Sequence, residues 1–196
     1  DVKMKNKMFS RKKSKNPGDR INDIPTIVVG DTSGSANSSY NRLKDNIIYY
    51  IDDGKHKVFQ IESSIAGEGK STIVANLAVS LAKNDKKVVV VDLDFRSPKM
   101  HKCFRVLNTN GIAEYMLGEL TKDQIIKHSK YKNVDVITRG AKIYNSSLIL
   151  VSDKFKNFIA ELRAEYDYVL LDCAPVLQIS DYIHIAQISD GVLFLV

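Results

Sequence analysis

The chain has 196 residues, 44% hydrophobic and 27% charged, which is enough for one domain with its own core and excludes collagen-like or disordered composition. Its formal charge of +6 belongs to residues 1–20, with eight Lys/Arg and two acids; the neutral remainder implies no specific nucleic-acid partner. Two cysteines, Cys103 and Cys173, make no disulfide framework and fit a reduced, cytosolic setting.

No apolar run approaches the ~20 residues of a membrane helix, and no signal-peptide pattern is present. Three readings of residues 1–20 stay open. They are a solvated, disordered tail, a weak non-specific nucleic-acid arm, or a juxtamembrane segment. In the last, Lys and Arg follow the positive-inside rule and gain about 1 kcal/mol each from anionic lipid. Residues 21–37 read as a linker around Ile27-Val28-Val29. The expected organisation is a basic, juxtamembrane-like tail and linker over 1–37 and a folded domain over 38–196. That domain is read as incomplete at its C-terminal end, because the chain stops inside the apolar run 192–196, and the start at Asp1 also suggests a fragment.

The first predicted element is a helix over 38–51. Tyr40, Leu43, Ile47 and Ile48 recur at helical spacing, and Ser38 or Ser39 can cap it. A strand over 58–61 and a helix over 72–83 follow. Residues 88–91 are an unbroken β-branched run, as expected of a parallel strand covered on both faces. Short helices are predicted over 112–117 and 121–127, and a strand over 134–138. Ser152 caps a helix running to Glu165, with Phe155, Phe158, Ile159 and Leu162 at i, i+3, i+4 and i+7. A strand over 169–171, a helix over 182–187 and a strand over 192–196 complete the pattern. Alternating β and α elements imply an α/β fold with a mostly parallel sheet flanked by helices on both faces. Ligands of such folds bind at the carboxyl ends of the strands.

Residues 64–72, Ser-Ile-Ala-Gly-Glu-Gly-Lys-Ser-Thr, lie between a predicted strand and a predicted helix and match a P-loop except for Ser64 in place of the first glycine. The loop Ala66, Gly67, Glu68, Gly69, Lys70, Ser71 and Thr72 would cradle phosphate with its amides and the helix N-terminus. Lys70 would reach the β- and γ-phosphates, and the Ser71 hydroxyl would ligate Mg²⁺. Two strands deliver Asp92, Asp94 and Asp172 to the same edge. Three carboxylates there repel one another unless a cation joins them.

Three stretches resemble the bacterial tyrosine kinases (BY-kinases) of capsule and exopolysaccharide synthesis. SIAGEGKSTIVANLAVSLA is similar to that family's Walker A region, VVVVDLDFRSPKMHKCF to its second Walker motif, and YDYVLLDCAPVLQISD to its Walker B region. The resemblance runs from about Tyr40 to Val196 and includes Gly111, Gly118 and Gly140. It implies a P-loop NTPase fold of the deviant-Walker type and a kinase that moves the γ-phosphate of Mg-ATP to tyrosines, its own included. It also implies a transmembrane polysaccharide co-polymerase as activator, fused or separate, and a place on the cytoplasmic face of the membrane. The basic tail favours the fused form.

On this reading Lys70, Asp92 and Asp94 are catalytic, with Asp92 accepting the tyrosine proton, and Ser71, Asp94 and Asp172 hold the metal. The family's Glu-x-x-Arg-x-x-Arg oligomerisation motif falls on Ser38, Asn41 and Lys44, which weakens the expected homo-oligomer. Its Asn-Pro-x-Glu-Leu-Leu stretch becomes Asn145 to Leu150 without the proline and glutamate, and Cys173 follows Asp172 where the family has Thr. Partition and septum-placement ATPases share the fold class but carry a lysine where this chain has Ile65. A P-loop ATPase switch and a catalytically weak nucleotide-binding regulator remain the alternatives.

Overall fold

Unbroken apolar runs form the centre of the sheet. The computed structural model describes residue 27, residues 35–51 and residues 55–196, with the side chains of 35, 36, 50 and 51 left aside. The predicted tail and most of the linker lie outside the described residues. Helix α1 spans Ser35–Ile51, β1 Val58–Ser63, α2 Lys70–Ala82, β2 Val88–Asp92, α3 Met100–Phe104, α4 Ile112–Leu117 and α5 Lys122–Ile125. Then follow β3 Ile126–His128, β4 Val134–Ile137, α6 Ser146–Leu150, α7 Asp153–Glu165, β5 Tyr168–Asp172, α8 Asp181–Ala186 and β6 Gly191–Leu195.

The strands make one six-stranded sheet in the order β3-β4-β2-β5-β1-β6. All neighbours are parallel except β3 and β4. Every residue of β1, β2 and β5 is buried, as expected where helices cover both faces of a parallel sheet. The alternation of β2 divides two cores. Val88 and Val90 pack with Leu77 and Leu81 of α2, Ile47 of α1 and Phe104 of α3, and Ile27 joins the same cluster. Val89 and Val91 pack with Ile112 of α4, Phe155, Phe158 and Leu162 of α7, and Ile185 of α8. Burial of each such large side chain contributes about 1.5–3 kcal/mol.

Helix α7 forms as predicted, since the Ser152 hydroxyl accepts a hydrogen bond from the Phe155 amide (3.2 Å) and the four apolar residues are all buried. Residues 121–127 differ from the expectation. One helical turn, α5, gives way to β3, which runs antiparallel to β4 with Ile126 opposite Ile137 and His128 opposite Asp135. Within α5 only Ile125 is buried, so no apolar stripe sustains a longer helix. His128 Nδ1 meets Asp135 Oδ1 at 2.7 Å, and this cross-strand pair supports the strand instead. Helices α3 and α6 are additions to the predicted set.

Candidate active site

The sheet register builds the site. In adjacent parallel strands Asp92 of β2 lies opposite Asp172 of β5, and Ile61 of β1 also pairs with Asp172. Three central strands therefore end together, and β1 leads directly into residues 64–69. The segment after β5 closes against that loop, with the Val176 amide donating to Ser63 O (3.0 Å) and the Leu177 amide to Ser64 O (3.3 Å).

The loop itself is open. Residues 65–69 are exposed, whereas Lys70 and Ser71 are buried at the first turn of α2. Gly67 and Gly69 take φ of +96° and +87°, left-handed values that a side chain would strain, and an added Cβ at either would meet nothing within 4 Å. The Glu68 carboxylate accepts from the Ile65 amide (3.1 Å) and closes the loop on itself. The 13-residue α2 presents its N-terminus here, with partial positive charge and no side-chain cap to compete for its amides.

Lys70 and Ser71 converge on Asp172. The Lys70 ammonium pairs with Asp172 Oδ1, and the Ser71 hydroxyl donates to Oδ2 at 2.9 Å. Asp172 is fully buried and Lys70 is 6% exposed. Burial pulls the Lys70 ammonium down, but the Asp172 carboxylate beside it more than restores it, so Lys70 stays charged. Burial pushes the Asp172 carboxyl up against the pull of Lys70 and Ser71.

Asp92 and Asp94 differ sharply. Asp92 has no exposed surface. Its Oδ2 accepts from the amides of Lys99 (3.0 Å) and Met100 (2.9 Å), and its Oδ1 from that of Asp94 (3.2 Å). Burial first, then the neighbouring Asp172, raises its carboxyl to about 8. Asp94 uses only Oδ1, which accepts from the amides of Arg96 (3.2 Å) and Ser97 (2.8 Å), and leaves Oδ2 for a further ligand. Each carboxylate has its own donors, and Lys70 is the cation paired with Asp172, while Asp172 still raises Asp92 by repulsion. As a direct proton acceptor Asp92 is closed off in this arrangement, because its carboxyl is fully buried and three amides occupy three of its four acceptor sites.

The hard oxygens of Ser71, Asp94 and Asp172 suit Mg²⁺. Among the described residues no three His, Cys, Asp or Glu side chains group to hold a metal by themselves, so phosphate oxygens would have to complete its shell.

Sequence reasoning missed two features. Glu62, 1% exposed on β1, accepts from Gln60 Nε2, while its Oε2 and the Gln60 Oε1 have no partner among the described residues. An acid in an otherwise buried strand was its only signal. The second is a cleft of about 660 Å³ beside Asp94, lined by Phe95, Arg96, Lys142, Tyr144, Leu148 and Ile179 among others. Nothing in the residue spacing brings 95–96 and 142–148 together.

Other sequence expectations find their places. Burial pushes the Cys103 thiol up to about 12 and that of Cys173 well above its ordinary value, so both are inert thiols. Of the positions matching the oligomerisation motif, Ser38 is exposed, but Asn41 Oδ1 accepts from the Ser80 hydroxyl (3.1 Å) and Lys44 donates to Asn84 Oδ1 (3.3 Å). Both bonds tie α1 to the end of α2.

The AAA domain family profile matches residues 56–196. Tyrosine-protein kinase YwqD of Bacillus subtilis (strain 168) is 33% identical over 90% of this chain and 74% of its own length. Tyrosine-protein kinase ptk of Acinetobacter johnsonii is 31% identical over 84% of this chain, which spans 22% of that relative's length. The solved kinase domain of Escherichia coli tyrosine kinase ETK matches with a TM-score of 0.83 at 27% identity, over 95% of this chain and 70% of that one. A P-loop at the carboxyl edge of a parallel sheet, two strand-end carboxylates in register and these likenesses agree: the chain belongs to the AAA domain family and, within it, to the bacterial tyrosine-protein kinases.

Proposed function

We propose that this chain is the phosphotransfer domain of an ATP-dependent protein-tyrosine kinase that acts on itself and on other tyrosine-bearing proteins in capsular or extracellular polysaccharide synthesis and export. The observation that carries the reading is the convergence of Lys70 and Ser71 on Asp172 beneath an open glycine loop.

The loop amides of 66–72 and Lys70 hold the β- and γ-phosphates, Lys70 leaving Asp172 to do so. Ser71, Asp94 and Asp172 would hold Mg²⁺, which supplies neutralising charge for the phosphates when bound. The chain's own contribution is position and electrostatics. The acceptor tyrosine oxygen bonds to the γ-phosphorus, the bond to ADP breaks with its electron pair going to ADP, and the hydroxyl proton passes to a carboxylate. Asp92 is the proposed proton acceptor, which requires its carboxyl, raised to about 8, to be ionised and the Lys99 and Met100 amides to release it. If Asp92→Asn retains transfer while Asp94→Asn loses it without losing metal affinity, that role passes to Asp94.

The partner is a transmembrane co-polymerase domain, fused or separate, and the working place is the cytoplasmic face of the membrane. No described helix is long and apolar enough to cross a membrane. One observation favours the second reading, a nucleotide-binding regulator or ATPase switch: Asn41 and Lys44 are engaged within the chain, where the family's motif serves assembly.

Transfer from γ-labelled ATP with Mg²⁺, counting phosphotyrosine and free phosphate separately, decides between these readings. Phosphotyrosine lost in Lys70→Met supports the kinase. Free phosphate alone supports the switch, and tight nucleotide binding with neither product supports the regulator.

A further inference from the structure

The cleft beside Asp94 has an unusual charge pattern. One wall is Phe95 and Arg96, directly after Asp94, and the Arg96 amide donates to the Asp94 carboxylate (3.2 Å). The other is the segment from Lys142 to Leu148 that leads into α6. Both Arg96 and Lys142 are exposed, and among the described residues no Asp or Glu lines the cleft. The Lys142 ammonium lies 5.0 Å from the centre of the Tyr144 ring, a cation–π contact that keeps both groups at the rim.

The acid behind that wall, bonded to two of its serines, is already engaged. Asp181 of α8 is 4% exposed, and its two oxygens accept from the hydroxyls of Ser146 (2.8 Å) and Ser147 (2.6 Å). These bonds also fix α6 against α8, so the wall is held in place. Tyr144 and Leu148 are 84% and 68% exposed, large apolar surface of the kind that marks a contact site. The cleft therefore offers two cations and an apolar rim, one residue along the chain from the carboxylate proposed to hold the metal. The body of the chain is neutral overall, so this local positive charge is not part of a general basic surface.

We propose that this cleft receives the acceptor segment, and that it selects tyrosines flanked by acidic residues, Arg96 and Lys142 pairing with Asp or Glu on either side of the tyrosine. This rests on the kinase reading for the site beside it. Opposite charges across such a groove govern which partner is accepted more than how tightly any partner binds. The selectivity weakens with salt, because both cations are exposed.

The test uses the 196-residue chain and two fluorescent nonapeptides, identical except that the central tyrosine is flanked by Glu in one and Lys in the other. Binding is read by anisotropy in the presence of a non-hydrolysable ATP analogue, and phosphotyrosine formation is read separately. The Glu peptide is expected to bind and react about tenfold better, through KM rather than kcat. Lys142→Glu, and independently Leu148→Glu, abolish that preference while affinity for the ATP analogue is unchanged. Equal binding of the two peptides, or a preference that survives both substitutions, overturns the proposal. A charge preference in binding without phosphotyrosine from either peptide sinks the kinase reading and leaves the cleft's selectivity standing. Phosphotyrosine without any preference does the reverse.

Discussion

Two regions flank the carboxyl edge of the sheet, and they are held by different means. At the P-loop, buried charges hold one another: Lys70 and Ser71 are tied to Asp172, and the residues that make this contact are those proposed to handle phosphate and metal. At the opposite rim, 142–150, neutral hydroxyls tie α6 to Asp181 while Lys142, Tyr144 and Leu148 face outward. In the first arrangement the paired groups are themselves the proposed phosphate and metal ligands, so substitution there is felt in the reaction. The second leaves the outward side chains free to vary without cost to the fold. The comparison predicts that changes at the loop act on turnover and changes at the rim's anchors act on stability.

The largest effect belongs to Lys70→Met. Loss of a cation aimed at developing phosphate charge lowers transfer by about 10²–10³-fold or more, read as phosphotyrosine from labelled ATP. A smaller loss would break the distinction between the two regions.

Gly111→Ala comes next, and it acts on stability. A Cβ at Gly111 would lie 2.2 Å from Thr138 O and 2.4 Å from Gly140 N, both backbone atoms that cannot step aside. A cost of about 3 kcal/mol is expected from urea unfolding midpoints.

Replacing both Ser146 and Ser147 with Ala leaves the Asp181 carboxylate buried without donors, which costs about 2 kcal/mol. Nucleotide affinity should not change, and a parallel loss of nucleotide binding would show that the rim and the loop are one unit.

The smallest effect sharpens the contrast with the far end of β1. There Asp190 Oδ2 accepts from the amides of Lys57 and Val58 (2.8 Å each), and Oδ1 from Arg163 (2.8 Å). Burial alone would raise this carboxyl, but the two amides and the guanidinium hold it below its ordinary value of 3.8. A depressed carboxyl contributes stability that is present above its unfolded value and lost as pH falls through the folded one. Asp190→Asn should therefore cost about 1 kcal/mol at pH 7. That difference should close below pH 3.8, as the wild type loses its advantage.

Much of this was readable from residues alone, for identifiable reasons. The run Val88 to Val91 could only be a doubly covered strand, and the Ser152 cap with the spacing of Phe155, Phe158, Ile159 and Leu162 defined α7. The P-loop was legible because each of its residues is dictated by local chemistry. Helix α3 was not, because it is started by the Asp92 carboxylate taking the amides of Lys99 and Met100 from seven and eight residues away. Helix α6 depends on Asp181, 35 and 34 residues from its two serines. Strand β3 needs β4 as a template. Spacing placed Asp92 and Asp94 on one strand end but could not tell which would be sealed by its own turn. That distinction comes from the path of 92–100 and bears directly on their proposed roles.

The central claim is that the side chains which hold one another at the loop are those that take up the Mg-nucleotide. It is tested most directly by measuring ATP affinity with and without Mg²⁺ for the wild type, Lys70→Met and Asp172→Asn, with thermal unfolding to confirm that each is folded. The account predicts that Asp172→Asn, which frees Lys70, binds ATP without Mg²⁺ at least as well as the wild type but loses the gain that Mg²⁺ gives, and that Lys70→Met loses affinity in both conditions. An Asp172→Asn protein with an undiminished Mg²⁺ gain, or a Lys70→Met protein with unchanged affinity, would contradict it.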